Sequence, residues 1–114
     1  MLKPVKSIAE LEKRAEGLPV YLVYAGSNHC SVCQNIRPRV EAMLQETNHI
    51  PGFDISVDHV PEFAGQFLVF VLPAILVFHW GKEVYRTARF IDLDQLALRL
   101  NEIPSGVKRE KDDE

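Results

Sequence analysis

The chain has 114 residues, 13 Lys and Arg against 16 Asp and Glu for a formal charge of −3, and 46% hydrophobic residues. That is enough apolar material to bury a single core without covalent staples, and two cysteines are too few for a disulfide framework. No basic cluster precedes the charged C-terminus, so neither nucleic acid nor an anionic membrane is an expected partner; with no basic segment leading into an apolar run, a cytoplasmic, unexported protein is expected.

In chain order, the first element is a helix opened by Ser7, with Glu10 completing a capping box and Ile8, Leu11, Ala15 and Leu18 as its inner face. Gly17 and Pro19 stop it. Residues 20–25 are almost wholly apolar and β-prone, as a strand covered on both faces would be. Asn28 and His29 break that run. From Ser31 to about Thr47, Val32, Ile36, Val40 and Leu44 recur every four positions and draw one helical stripe. Pro51-Gly52 turns the chain into a strand over 53–57. A short helix over 61–67 follows, then an apolar strand over 74–78 and, after a turn at Gly81-Lys82, an edge strand over 83–88. Asp92 and Gln95 open the last helix, which turns Leu93, Leu96, Leu100 and Ile103 inward and ends by 104–106. Residues 1–106 read as one domain of α/β class with a partly parallel sheet, and 107–114 as a charged tail with nothing to bury. Residues 63–81 hold no charged side chain and are long enough to cross a bilayer, but Gly65, Gln66 and Pro73 interrupt them, so a helix, a loop and a core strand are expected instead.

Both cysteines fall in Cys30-Ser31-Val32-Cys33, where the first strand gives way to the second helix. A cysteine at a helix N-terminus meets unpaired backbone N–H groups and the positive end of the helix dipole, which favour thiolate over thiol. Thiolate is the form that attacks disulfides, and a second thiol one turn later is within reach to resolve a mixed disulfide. The same spacing also suits half of a zinc site, but zinc needs four ligands, there is no second C-x-x-C, and His29, His49, His59 and His79 are scattered over different elements. No metal is therefore expected. His29, next to the dithiol, has two open readings: a cation that lowers the thiol pKa of Cys30, or a solvated loop residue.

With these elements in place, the chain resembles the thioredoxin family. Three anchors carry the likeness: Cys30-x-x-Cys33 with Pro38 downstream, Pro73 just before an apolar strand, and Phe78-His79-Trp80-Gly81-Lys82-Glu83 at a strand end and hairpin. The resemblance implies a thioredoxin fold, a central mixed sheet flanked by helices on both faces. Only residues 2–5 are left for a first strand, which is expected to be shortened or lacking. It further implies a cis bond before Pro73, where a strand-start proline would by default be trans. The implied activity is thiol–disulfide oxidoreduction without a bound cofactor. Cys30 would attack and Cys33 resolve, on protein disulfides or mixed disulfides with small thiols, and a reductase or a low-molecular-weight thiol would restore the dithiol.

Departures from the family pattern are informative too. Ser31-Val32 stands where Gly-Pro is typical, and His29 where Trp is usual. Tyr24 takes the place of a buried Asp, and Asp54 that of a buried Lys, either as a self-satisfied pair or with Asp54 facing solvent. Arg89 replaces a groove glycine, while Phe70 and Val71 replace a polar residue and a glycine before Leu72, so Phe70, Leu72 and Arg89 are expected to make a bulky rim around Cys30. His79 and Trp80 read as surface residues. An adaptor that uses this groove to hold one partner with little turnover is the competing reading from another functional class.

Overall fold

The structure, a computed structural model describing residues 1–47 and 50–104, is built on five strands. They are β1 (Leu2–Val5), β2 (Val20–Gly26), β3 (Gly52–Ser56), β4 (Ala74–His79) and β5 (Lys82–Ala88), in the order β1-β3-β2-β4-β5. β3 runs parallel to β1 and β2, whereas β4 is antiparallel to β2 and β5, so the sheet is mixed. Four helices, α1 (Ile8–Ala15), α2 (Ser31–Glu46), α3 (Glu62–Phe67) and α4 (Leu93–Glu102), connect and cover it.

Alternation along β2 explains the layering. Tyr21, Val23 and Ala25 pack with Leu11 and Ala15 of α1 and Phe63 of α3, while Val20, Leu22 and Tyr24 pack with Val40, Met43 and Leu44 of α2 and Leu96 and Leu100 of α4. β2 is buried throughout because helices lie on both of its faces, and burying each large aliphatic side chain there contributes about 1.5–3 kcal/mol. At Gly52 the close approach of β3 to its neighbours is decisive: a Cβ would stand 2.6 Å from Leu44 Cδ1 and 2.8 Å from Leu2 Cδ2.

The first strand is shortened but present, its four residues pairing with β3 from Leu2–Gly52 to Val5–Ile55. Ser7 caps α1 as expected, accepting from the Glu10 N–H at 2.9 Å. The Glu10 carboxylate, however, accepts from the Lys6 N–H at 2.8 Å instead of that of Ser7, so the capping box closes one residue early. Asp92 caps α4 through the Gln95 N–H at 3.1 Å. Along the α2 stripe, Val40 and Leu44 are buried, but Val32 is 49% exposed, on the side of the first turn of α2 that lines the cavity beside Cys30. The 63–81 stretch divides into α3, a loop and β4, and no helix among the described residues is long and apolar enough to cross a membrane. His49 and the tail 107–114 lie outside the described residues.

Candidate active site

β2 ends at Gly26, and there the chain must swing from the sheet into α2 without colliding with it. A Cβ on Gly26 would lie 3.3 Å from Cys33 Cβ and 3.5 Å from its Sγ, so the missing side chain lets the first turn of α2 settle on the strand. The loop between them is held from β3's side by Asp58. Its carboxylate accepts from Asn28 N–H at 2.7 Å and from the Ser27 hydroxyl at 2.9 and 3.1 Å, and Ser27 Oγ in turn accepts from His29 N–H at 3.1 Å. Those hydrogen bonds, the backbone one first, draw the Asp58 pKa below the usual carboxylate value.

Cys30 is the N-cap of α2. Its backbone is extended, and its Sγ accepts from the Cys33 N–H at 3.2 Å, so the sulfur stands where the helix's unpaired donors converge. Cys30 and Cys33 are joined in a disulfide with Cα atoms 5.3 Å apart. They differ in access: Cys30 is partly exposed, and Cys33 is 3% exposed.

On the outer side, Cys30 opens into a cavity of about 550 Å³ lined also by Ser27, His29, Val32, Leu72, Arg89 and Phe90. The Leu72-Pro73 peptide bond is cis. Pro73 reaches this wall through its backbone, its carbonyl accepting from the Arg89 N–H at 2.8 Å. The structure thus brings together Cys30, His29, Leu72 and Arg89 as the sequence led us to expect. Phe70 is the exception: it lines a separate cavity of about 220 Å³ with Leu68, Val71 and Arg86. The loop before Pro73 is drawn toward β5 there, because Arg86 donates to the carbonyls of Phe67 and Leu68 at 2.8 Å each. The aromatic ring beside Cys30 belongs instead to Phe90, 84% exposed, which the sequence did not single out.

On the inner side, Cys33 borders a polar cavity of about 240 Å³ with Tyr24, Gln34, Arg37 and Asp54. Tyr24 and Asp54 are neighbours in register on β2 and β3, yet the structure shows neither a pair satisfying itself nor a solvated carboxylate. The Tyr24 hydroxyl donates to the Cys33 carbonyl at 2.5 Å, and Asp54, 24% exposed in its side chain, is ion-paired with Arg37 at 2.5 Å. Arg37 also stands 4.0 Å from Glu41. Burial, aided by the Asp54 charge and opposed by Arg37, pushes the Tyr24 phenol up to about 12. Burial likewise raises the Asp54 carboxyl above its usual range, outweighing the pull of Arg37. Arg37 was legible in principle, four residues after Cys33 on the same helix; Asp58 carried no local signal. Trp80 stands with Tyr21 and Phe78 in a cavity remote from the dithiol in sequence and lining, and His79, in the tautomer that carries its proton on Nε2, donates to the Pro104 carbonyl at 3.1 Å. Among the described residues, no three His, Cys, Asp or Glu side chains converge as metal ligands.

A thioredoxin family model matches residues 9–102. The chain is 31% identical over 97 residues to a thioredoxin-like protein, YdfQ, of Bacillus subtilis, covering 85% of this chain and 87% of that protein. It is 33% identical over 67 residues to a thioredoxin of Chlamydia trachomatis, covering 59% of this chain and 66% of that one. Among solved structures, the thioredoxin of Fasciola hepatica superposes with a TM-score of 0.81 at 26% identity, covering 90% of this chain and all of the other.

Proposed function

The chain belongs to the thioredoxin family and is a thiol–disulfide oxidoreductase, and from that premise we propose that it works as a reductant in which Cys30 attacks and Cys33 resolves. The observation carrying the assignment is the unequal access of the two sulfurs: Cys30 at the open helix cap, Cys33 buried beneath it. The Cys30 thiolate attacks one sulfur of a substrate disulfide, and the substrate's other sulfur leaves as thiolate. Cys33, deprotonated, then attacks Cys30 Sγ, closing the protein disulfide and releasing the second substrate thiol. Two electrons and two protons pass to the substrate, and a reductase or a low-molecular-weight thiol returns them to the protein.

Leu72 lines the wall against which an extended substrate strand would lie, with the Pro73 carbonyl beside it bonded to the Arg89 N–H. Asp54 is the group for the Cys33 proton. It shares a cavity with Cys33, and its raised pKa brings its basicity nearer the working range, whereas the Tyr24 phenol, at about 12, is no base near neutrality. Tyr24 serves instead to hold the Cys33 backbone. Protein disulfides and mixed disulfides with small thiols are the substrate classes, and the cytoplasm is the compartment that keeps such a dithiol reduced.

Steady-state disulfide reduction on parent, Cys30→Ser and Cys33→Ser tests this reading. Cys30→Ser should be inactive. Cys33→Ser should form one stable mixed disulfide through Cys30, identified by mass spectrometry; a mixed disulfide through Cys33 in Cys30→Ser, or no turnover by the parent, would overturn the assignment.

A further inference from the structure

Among the described residues, Arg89 is the only Lys, Arg, Asp or Glu lining the Cys30 cavity, and it is set in a backbone conformation that favours glycine, with φ 69°. Its N–H is fixed to the Pro73 carbonyl at 2.8 Å, which holds the residue beside the cis peptide bond. The guanidinium lies 5.3 Å from the centre of the Phe90 ring, and among the described residues it has no carboxylate partner, unlike Arg14, Arg37 and Arg86. Asp58, which holds the neighbouring loop, does not line the cavity and is engaged by Ser27 and Asn28. Among the described residues, a chain of net charge −3 therefore sets beside its exposed sulfur an arginine without a carboxylate partner, an aromatic face, His29 and no carboxylate.

We propose that Arg89, backed by Phe90, selects substrates whose reacting half carries a carboxylate close to the disulfide. This rests on the reductase reading of Cys30 and adds the substrate's chemical class. A planar guanidinium accepts a carboxylate through two parallel hydrogen bonds, and the stacked ring limits the orientations it would lose on binding. The carboxylate has two available sources: an acidic residue flanking a cysteine in a protein disulfide, or the carboxylates of a small thiol such as glutathione.

The test is single-turnover reduction by pre-reduced protein, which needs no electron donor. Matched peptide disulfides carry Glu, Ala or Lys beside the reacting cysteine, and a further arm uses a glutathione mixed disulfide against its doubly amidated or esterified analogue. The parent should favour Glu over Lys by about three- to tenfold at low ionic strength, the preference shrinking with salt. The arm with the larger ratio identifies the source. Arg89→Gly, which suits the positive φ, should bring the ratio toward one, and Arg89→Lys should retain a preference. No preference in the parent in either arm, or one that survives Arg89→Gly, overturns the proposal. Failure of the parent to reduce even the Ala peptide would instead strike the reductase reading itself.

Discussion

Around Cys30 the wall is Leu72, Arg89 and an exposed Phe90, whereas Cys33, three residues on, faces a half-buried polar cavity lined by Tyr24, Arg37 and Asp54. The contrast comes from where the two cysteines stand in α2. Cys30 is the extended N-cap, outside the helix and off the sheet; Cys33 sits in the first turn, pressed onto Gly26 of β2. One short segment therefore gives one sulfur to the substrate and the other to the protein interior. In the mechanism proposed above, outer groups would decide what binds, and inner groups whether the bound disulfide is resolved.

The sharpest way to break this contrast is alkylation of the reduced protein near neutral pH. The helix N-terminus that favours thiolate at Cys30, together with the burial of Cys33, should make Cys30 react on the order of a hundredfold faster. Peptide mapping after brief labelling reads the ratio; preferential labelling of Cys33 would reverse the assignment of roles.

Asp54→Asn probes the inner side. Resolution from a preformed Cys30 mixed disulfide should slow by about tenfold, below the range typical of a full general base because water also reaches the chamber. Burial raises the Asp54 pKa, so in the parent the rate should fall as pH drops through a value above 3.8, and that limb should vanish in the variant. The linkage sign is also fixed. A carboxyl raised in the folded state contributes most to stability below 3.8, and that contribution declines as pH rises through the raised value. Identical resolution profiles would remove Asp54 from the mechanism.

Most of the fold was readable from local signals. Ser7 and Asp92 cap the helices they were expected to cap, the unbroken apolar run 20–25 is the strand covered on both faces, and Pro73 is the cis proline that the family resemblance implied. What escaped depended on distant pairing. The Arg37–Asp54 ion pair spans 17 residues and the Ser27–Asp58 contact spans 31, and neither leaves a periodic trace. Val32 obeys the helical stripe but lines the open cavity beside Cys30, and Phe70 is carried away from Cys30 by the Arg86 contacts to Phe67 and Leu68. The chemistry-bearing cysteines were legible because their spacing is short; their surroundings were not, because residues of β2, α2 and β3 and of the segments before β4 and after β5 assemble them.

Tyr24→Phe tests whether the inner wall holds the backbone rather than the proton. Losing the bond from its hydroxyl to the Cys33 carbonyl at a residue 1% exposed should cost about 0.5–1.5 kcal/mol, read from the denaturation midpoint of the oxidised protein. The resolution pH profile should keep its shape. In the parent, a phenol raised from 10.0 to about 12 makes a stability contribution that is intact below 10 and lost as pH rises toward 12. The variant should lack that alkaline loss, and an unchanged alkaline profile would argue against a buried phenol.

Asp58→Asn should give the smallest change, because it acts on the outer sulfur only through the loop that precedes it. An amide keeps one oxygen for Asn28 N–H but gives up the charge that both Ser27 and Asn28 now address. Cys30 attack on a neutral peptide disulfide should slow by about twofold, the small effect expected of a solvent-exposed charged contact. A second readout separates positioning from general weakening. The Asp58 pKa is depressed in the folded chain, so its stabilising contribution is complete above 3.8 and is lost as pH falls through the lower value. The Asn28 amide resonance should therefore titrate below 3.8 in the parent and stay flat in Asp58→Asn. If it is flat in both, the carboxylate does not hold the loop, and the placing of Cys30 must rest on the helix cap alone.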